Sequence, residues 1–166
     1  MAAKTTLLFL FKEWRVRIIY TDLDGGLSVV MPSPEWTGSM DELALKVVPA
    51  GLDYRIVDES LLPGNREFRN AWTDEYPGSQ VDIDAIKAKN LQLSRLRQER
   101  NAKLSALDIE VMRAQDKDDQ ESLARIRGEK EVLRDATEPL KNLAVSGPAT
   151  DNILDQIRAL GTLSSD

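Results

Sequence analysis

Two aspartates near the N-terminus, Asp22 and Asp24, have the spacing that opens a calcium-binding loop. Such a loop needs a further oxygen ligand two residues on and a glutamate at its twelfth position, where this chain has Gly26 and Ser33. The run Asp24-Gly25-Gly26 instead favours a tight hairpin turn, because such turns need residues that tolerate positive φ. The sequence therefore predicts a turn at this place rather than a metal site.

The residue types that most often carry catalysis are missing. The chain has no histidine and no cysteine, which excludes Ser-His-Asp and Cys-His catalysis within it and removes imidazole and thiolate metal ligands. A second acidic group, Asp116, Asp118 and Asp119, is interpreted as a solvated turn between helices. No carboxylate pair stands out as an acid/base couple, and there is no glycine-rich phosphate loop. We expect no enzyme activity, no cofactor and no metal.

Nucleic-acid binding is also disfavoured. The net charge is −6 and the isoelectric point is about 4.8, whereas such binders normally carry a basic surplus. One basic stretch exists, without the interleaved aromatics on which bases stack. Its members are Lys87, Lys89, Arg95, Arg97, Arg100 and Lys103. We interpret it as a solvated or partner-facing helix and expect no nucleic-acid partner.

No membrane partner is expected either. The apolar run at residues 7–11 is far shorter than the roughly 20 residues that span a bilayer. It has no small-residue cleavage site at the right distance. We interpret it as a strand in a soluble protein that is made and used without secretion.

The elements of the first 80 residues predict a small α+β head. Strand patterns at 15–21 and 27–31 flank the predicted turn and form a hairpin, and Tyr54, Ile56 and Val57 mark a third strand. A short helix is predicted over 41–48, with Ser39 or Asp41 as N-cap and Leu43, Val47 and Val48 facing inward.

Two aromatic residues, Phe68 and Trp72, are four apart in a segment predicted to form one or two helical turns over 66–72. Two interpretations are open. They pin this short helix to the sheet, or they anchor a partner protein, since exposed aromatics are typical of interface hot spots.

Residues 81–138 predict a long antiparallel helical hairpin that begins at Asp82 or Asp84. The first helix has a coiled-coil seam that is broken near its middle by three polar residues. The seam positions are Ile83, Ile86, Asn90, Leu93, Arg97, Arg100, Leu104, Leu107, Val111 and Ala114. The second helix is predicted over 121–134, with Leu123, Ile126 and Leu133 inward.

The two helices differ in length, and the second can cover only about half of the first. Residues 83–97 must therefore pack on the head, on the last helix or on another copy. We predict self-association through residues 83–114. A loop with Pro139 and Gly147-Pro148 then precedes a final helix, capped by Thr150 and bearing Ile153, Leu154, Ile157 and Leu160. The three predicted parts are the head (1–80), the hairpin (81–138) and a loop with a C-terminal helix (139–166).

An ordered set of motifs over residues 15–138 resembles a family of small proteins encoded among the tail genes of bacteriophages and prophages. The motifs are Val-Arg-Ile-Ile-Tyr, Asp-Gly-Gly, Leu-Ser-Val-Val-Met-Pro, Val-Val-Pro-Ala-Gly, Tyr-Arg-Ile-Val, Arg-Glu-Phe-Arg-Asn-Ala-Trp, Leu-Ser-Ala-Leu-Asp, Met-Arg-Ala and Leu-Arg-Asp. Such proteins are often labelled tail proteins or tail assembly chaperones. The resemblance supplies no catalytic residues.

The resemblance implies a structural adaptor of a phage tail, at the fibre or baseplate end, made in the host cytoplasm and retained in the virion. The rival is a tail fibre assembly chaperone that leaves before the particle is finished. Either would contact other tail proteins, and repeated copies would form an oligomer. The predicted interface residues are Phe68, Trp72, Ile83, Ile86, Leu93, Leu104, Leu107 and Val111.

Overall fold

The fold has the predicted α+β composition, a small antiparallel sheet followed by a long helical hairpin and a short C-terminal helix. The computed structural model describes residues 15–76 and 80–163. Two compact units meet between Asp84 and Ala85. We call the described residues up to Asp84 the head module and those from Ala85 onward the helical unit. The predicted loop and C-terminal helix cluster with the hairpin in the helical unit.

The sheet of the head module has the three predicted strands in the order β2-β1-β3, all antiparallel. The strands are β1 (Val16–Thr21), β2 (Leu27–Val30) and β3 (Tyr54–Asp58). Ile18 in the central strand pairs with Val30 on one side and Ile56 on the other, and its side chain is fully buried. The further strand predicted over 7–11 lies outside the described residues.

The turn between β1 and β2 is the predicted hairpin turn. One carboxylate oxygen of Asp22 accepts hydrogen bonds from the backbone N–H of Gly26 (2.8 Å) and of Asp24 (3.1 Å). The other oxygen accepts from the Ser28 hydroxyl at 3.4 Å. Gly25 has φ 76°, a conformation that residues with a Cβ rarely adopt. The Asp22 carboxylate thus orders the turn itself.

Helix α1 (Met40–Val47) packs on this sheet. It begins with a capping box, in which the Ser39 hydroxyl accepts from the N–H of Glu42 and the Glu42 carboxylate accepts from the N–H of Ser39. Leu43 is buried against the sheet, as predicted, whereas Val47 is 39% exposed. The inward prediction for Val47 is wrong, because this last helical residue lies at the edge of the packed face.

Residues predicted to be helical form a second, two-stranded ribbon. Strand β4 (Trp72–Thr73) pairs with β5 (Asp82–Ile83). Of the helical turns predicted over 66–72, only a 3₁₀ helix at Arg69–Ala71 is present, and another lies at Glu59–Leu61. Of the two predicted starts of the long helix, Asp84 agrees with the observed start at Ala85, whereas Asp82 is wrong because pairing with β4 holds that segment extended.

The helical hairpin consists of α2 (Ala85–Asp116) and α3 (Gln120–Asp135). Asp119 caps α3, because its carboxylate accepts from the backbone N–H and the hydroxyl of Ser122 at 3.0 and 2.6 Å. A buried cluster of Leu107, Ala114 and Ile126 joins the helices. Half-buried Val111, Leu123 and Leu133 pack on that cluster, as predicted for the two α3 leucines.

Two shorter helices complete the helical unit, α4 (Glu138–Asn142) and α5 (Asp151–Leu160). Helix α4 lies where a loop was predicted, since Pro139 is tolerated in the first turn of a helix. Thr150 caps α5, as predicted. Helix α5 packs on α2, and the Gln92 side chain donates to the carbonyl of Gly161 at 2.9 Å. The last helix, one of the three predicted alternatives, therefore covers part of α2.

Candidate protein-interaction groove

The helical unit contains an open apolar groove of about 760 Å³ between the hairpin and the end of α5. We call it the helical groove. Its lining residues are Lys103, Ala106, Leu107, Glu129, Val132, Leu133, Ala136, Pro139, Ala159, Leu160, Thr162 and Leu163. Most of these side chains are apolar, so the groove suits apolar side chains better than a polar metabolite.

The groove follows from the unequal lengths of the helices. Helix α2 has 32 residues and α3 has 16, so α3 covers only about half of α2 at about 1.5 Å per residue. Helix α5 also packs on α2. The groove is lined by residues of α3 and α5, the two helices that cover different parts of α2.

Val132 is the most exposed large apolar side chain of the groove. It is 71% exposed, whereas neighbouring Leu133 is half-buried and Leu107 is 7% exposed. Covering Val132 with a partner would therefore stabilise the contact, by roughly 25 cal/mol per Å² of apolar surface buried.

Ion pairs beside the groove connect the two helices of the hairpin. Arg125 on α3 bonds Glu129 of its own helix and, at 3.2 Å, Glu110 of α2. Both carboxylates raise the pKa of Arg125, Glu129 first, so this side chain stays charged. Lys130 pairs with Asp108 across the same interface. These exposed pairs fix the register of the helices more than they add stability.

A separate pair of apolar side chains is exposed on another face of α2. Ile109 is 47% and Met112 56% exposed, and their i, i+3 spacing places them side by side. Met112 lies about 140° around the helix from Leu107 at about 100° per residue. We call Ile109 and Met112 the apolar stripe. The helical unit thus presents a groove on one side and a stripe on another.

The predicted interface residues are divided between the head module and the helical unit. Of the hairpin positions, only Leu107 lines the helical groove. Ile83 belongs to β5 and lies 9% exposed, Leu93 is 6% exposed, and Ile86 is 48% exposed. Leu104 and Val111 are half-buried. The correct packed positions at the start of α2 are Ala85, Ala88, Gln92 and Leu96, which replace the predicted seam positions Ile86 and Asn90.

Phe68 and Trp72 lie inside the head module. Their relative exposures are 1% and 3%, and the two residues flank the 3₁₀ helix instead of sharing one helical face. The Trp72 ring also stacks under the Arg69 guanidinium, 4.6 Å from the ring centroid. This burial favours packing inside the module over docking of a partner.

Sequence reasoning missed most of the groove. No role was predicted for Val132, Ala136 or Leu163, and Leu160 was named only as an apolar residue of the last helix. One signal was present in the sequence, since Val132 stands beside Leu133 on a short amphipathic helix and cannot share its inward face. The meeting of four helices at this place depends on the tertiary fold.

Among the described residues, no group of three or more acidic, histidine or cysteine residues is placed to hold a metal ion. None of the described helices combines the length and the apolar character that crossing a lipid bilayer requires.

Comparisons of this chain with protein-family models, with curated proteins and with solved structures found no match.

Proposed function

We propose that this protein is a structural adaptor of a bacteriophage tail, at the fibre or baseplate end, and that it acts through protein–protein contacts without catalysis. The motif resemblance over residues 15–138 supports the placement in tails. The helical groove is the observation that carries the role of an interaction protein. In this proposal the protein is made in the host cytoplasm and retained in the virion with other tail proteins as neighbours.

The proposed occupant of the groove is the apolar stripe of a second copy. Both surfaces belong to the same helical unit, and each leaves aliphatic side chains in water, Val132 in the groove and Ile109 with Met112 in the stripe. Joining them removes all three from water in one contact. Burial of apolar area is the main driving force of such associations.

The placement of the two surfaces dictates the type of assembly. A contact between two different faces of one protein is head-to-tail and repeats from copy to copy, and it gives a ring if the rotation closes. Rings of identical subunits suit the rotational symmetry of a phage tail. A two-fold dimer would instead pair groove with groove or stripe with stripe.

Sedimentation velocity of two single variants tests this contact. Val132→Asp places a charge in the groove, and Met112→Asp places one in the stripe; a charge in an apolar contact costs about 2 kcal/mol or more. Each variant alone is expected to sediment as a monomer. Their equimolar mixture is expected to form a dimer only, because one intact groove and one intact stripe remain.

Ala124→Asp is the matched control, because Ala124 is exposed on α3 and does not line the groove. This variant should associate like the unchanged protein. A monomeric unchanged protein at tens of micromolar, or a mixture of the two variants that stays monomeric, would refute the head-to-tail contact.

The tail assignment is tested separately by mass spectrometry of purified virions. Stoichiometric amounts of the protein in particles support the adaptor role. Its absence from particles, combined with its presence in lysates of infected cells, would replace that role with the rival one of a tail fibre assembly chaperone.

A further inference from the structure

The head module contains a second pocket, of about 230 Å³, which is separate from the groove contact proposed above. Three arginines, Arg17, Arg66 and Arg69, line it together with a single carboxylate, that of Glu59. Among the lining residues, positive charges therefore exceed negative ones by two, in a chain whose net charge is −6. We call this cavity the arginine pocket.

Two of the three arginines are held in place by the fold. The Arg17 side chain is only 8% exposed and donates to Glu59 at 2.8 Å and to the carbonyl of Val16 at 2.9 Å. Arg69 donates to the carbonyl of Leu27 at 2.8 Å. Their guanidinium groups are therefore fixed before any ligand arrives, which lowers the entropy cost of binding.

Arg66 differs from the other two. It is exposed, and its side chain makes no hydrogen bond or ion pair with any residue in the described part of the chain. A guanidinium at the mouth of a pocket with all its donors available is suited to bidentate recognition of an oxyanion.

One of the residues that line the pocket also has an unsatisfied donor. Trp72 lines the pocket and is 3% exposed, and its indole N–H is buried without a hydrogen-bond acceptor among the described residues. Buried polar groups are nearly always paired, so an unpaired one requires an explanation. Burial, and secondly the charge of Arg66, lower the pKa of Arg69, so a bound anion would stabilise the cation there.

We propose that the arginine pocket binds the carboxylate of an acidic residue of another polypeptide. Met31, Leu62 and Pro63 contribute apolar wall, which suits the methylene stem of a glutamate or aspartate better than a bare phosphate. The volume admits one such side chain. The head module would thus recognise a partner by its negative charge, whereas the contact proposed at the helical groove is apolar.

Titration of the ¹⁵N-labelled full-length protein by NMR tests the site, with the indole N–H signal of Trp72 as the reporter. N-acetyl-glutamate amide is the probe, and N-acetyl-glutamine amide is its uncharged counterpart. The glutamate probe is expected to shift the Trp72 signal to saturation, and the glutamine probe is expected to leave it in place. The Trp36 indole, which donates to the carbonyl of Ser39, should not respond to either probe.

Arg66→Gln is expected to weaken binding of the glutamate probe about tenfold or more, which is the usual effect of losing a charge-assisted hydrogen bond. Arg113→Gln is the matched control, since Arg113 is exposed on α2 and should leave the binding curve unchanged. Circular dichroism confirms that both variants are folded.

Three results would overturn the proposal. They are no saturable shift with the glutamate probe, equal shifts with both amide probes, and unaltered binding in Arg66→Gln. Inorganic phosphate is titrated in parallel, and tighter binding of phosphate than of the glutamate probe would also overturn it, since the site would then be one for phosphate groups.

Discussion

Replacing Gly161 with alanine tests how the last helix packs on α2. A Cβ at position 161 would lie 2.8 Å from the carbonyl oxygen of Ile157 and 2.7 Å from Nε2 of Gln92, and closer still to Cγ of Gln92. Ordinary contacts between non-bonded heavy atoms are about 3.5–4.0 Å. The Ile157 carbonyl belongs to the helix backbone, and the Gln92 side chain is buried and bonded to Gly161, so neither can retreat freely.

The expected cost combines three effects. Overpacking costs about 1–3 kcal/mol, and displacement of the Gln92 side chain forfeits a hydrogen bond worth about 0.5–1.5 kcal/mol. Alanine also has less conformational freedom than glycine in the unfolded chain, which stabilises the folded protein by about 0.4–1 kcal/mol. The net loss in the free energy of unfolding is therefore about 2 kcal/mol. Urea denaturation followed by circular dichroism at 222 nm measures it.

Gly128→Ala is the matched control with the opposite sign. Gly128 lies in the middle of α3 and is exposed to solvent. Apart from the adjacent backbone of its own helix, a Cβ there would meet no heavy atom within 4 Å. Alanine is favoured over glycine inside a helix, so this variant should gain about 0.5–1 kcal/mol.

A double-mutant cycle identifies the clashing partner. In the Gln92→Ala background the Cγ and Nε2 atoms are gone, so Gly161→Ala should cost less there than in the unchanged protein. If Gly161→Ala leaves stability unchanged, or costs the same in both backgrounds, the described packing of Gln92 against Gly161 is refuted.

Three further predictions concern buried or capping side chains. Ile126→Ala should lower the free energy of unfolding by about 2–5 kcal/mol in urea denaturation, since this fully buried residue joins α2 to α3; a loss under 1 kcal/mol would contradict that packing. Phe68→Ala combined with Trp72→Ala should cost several kcal/mol and lower the melting temperature measured by circular dichroism; a nearly unchanged melt would return these aromatics to the role of partner anchors. The Ser122 hydroxyl and N–H donate to the Asp119 carboxylate and lower its pKa in the folded protein. The stability that this cap contributes is therefore complete above the pKa of about 4 that the carboxyl has in the unfolded chain, and it is lost as the pH falls below that value. The stability difference between the unchanged protein and Asp119→Asn, which does not titrate, should therefore shrink below pH 4 in urea denaturation; a difference that is constant from pH 3 to 7 would refute it.

Elements with local signals were predictable from the sequence. The β1–β2 hairpin is marked by Asp24-Gly25-Gly26, and the caps at Ser39 and Thr150 are short polar residues directly before helical patterns. In each case the deciding interaction joins residues within four positions of each other. Local sequence carries that information completely.

Long-range contacts decided what the sequence did not predict. Asp82 looks like a helix cap, but pairing of Asp82–Ile83 with Trp72–Thr73 delays the helix until Ala85. The predicted seam favoured the large residue Ile86, whereas Ala88 and Gln92 are buried instead. A search for large hydrophobic residues does not identify small or polar residues as packed positions. Small residues nevertheless permit close approach of neighbouring helices, and a polar one can be buried when it is hydrogen-bonded, as Gln92 is.

The candidate site was the least predictable part for the same reason. Its lining comes from α2, α3, α4 and α5, and one of these helices, α4, was predicted to be a loop. The arginine pocket gathers Arg17 and Arg66, which are far apart in sequence. Residue types reveal such chemistry only after the fold brings the residues together.

The hydrogen bond between Gln92 and Gly161 spans 69 residues, and this separation sets an order of events on the ribosome. The strand pairings of the head module all lie within the first 84 residues, so that module can fold while translation continues. At about 5–20 residues per second, roughly 3–14 s pass between the synthesis of Gln92 and that of its partner Gly161. The helical unit thus completes its packing last, and a translational pause after the head module would delay assembly without disturbing the sheet.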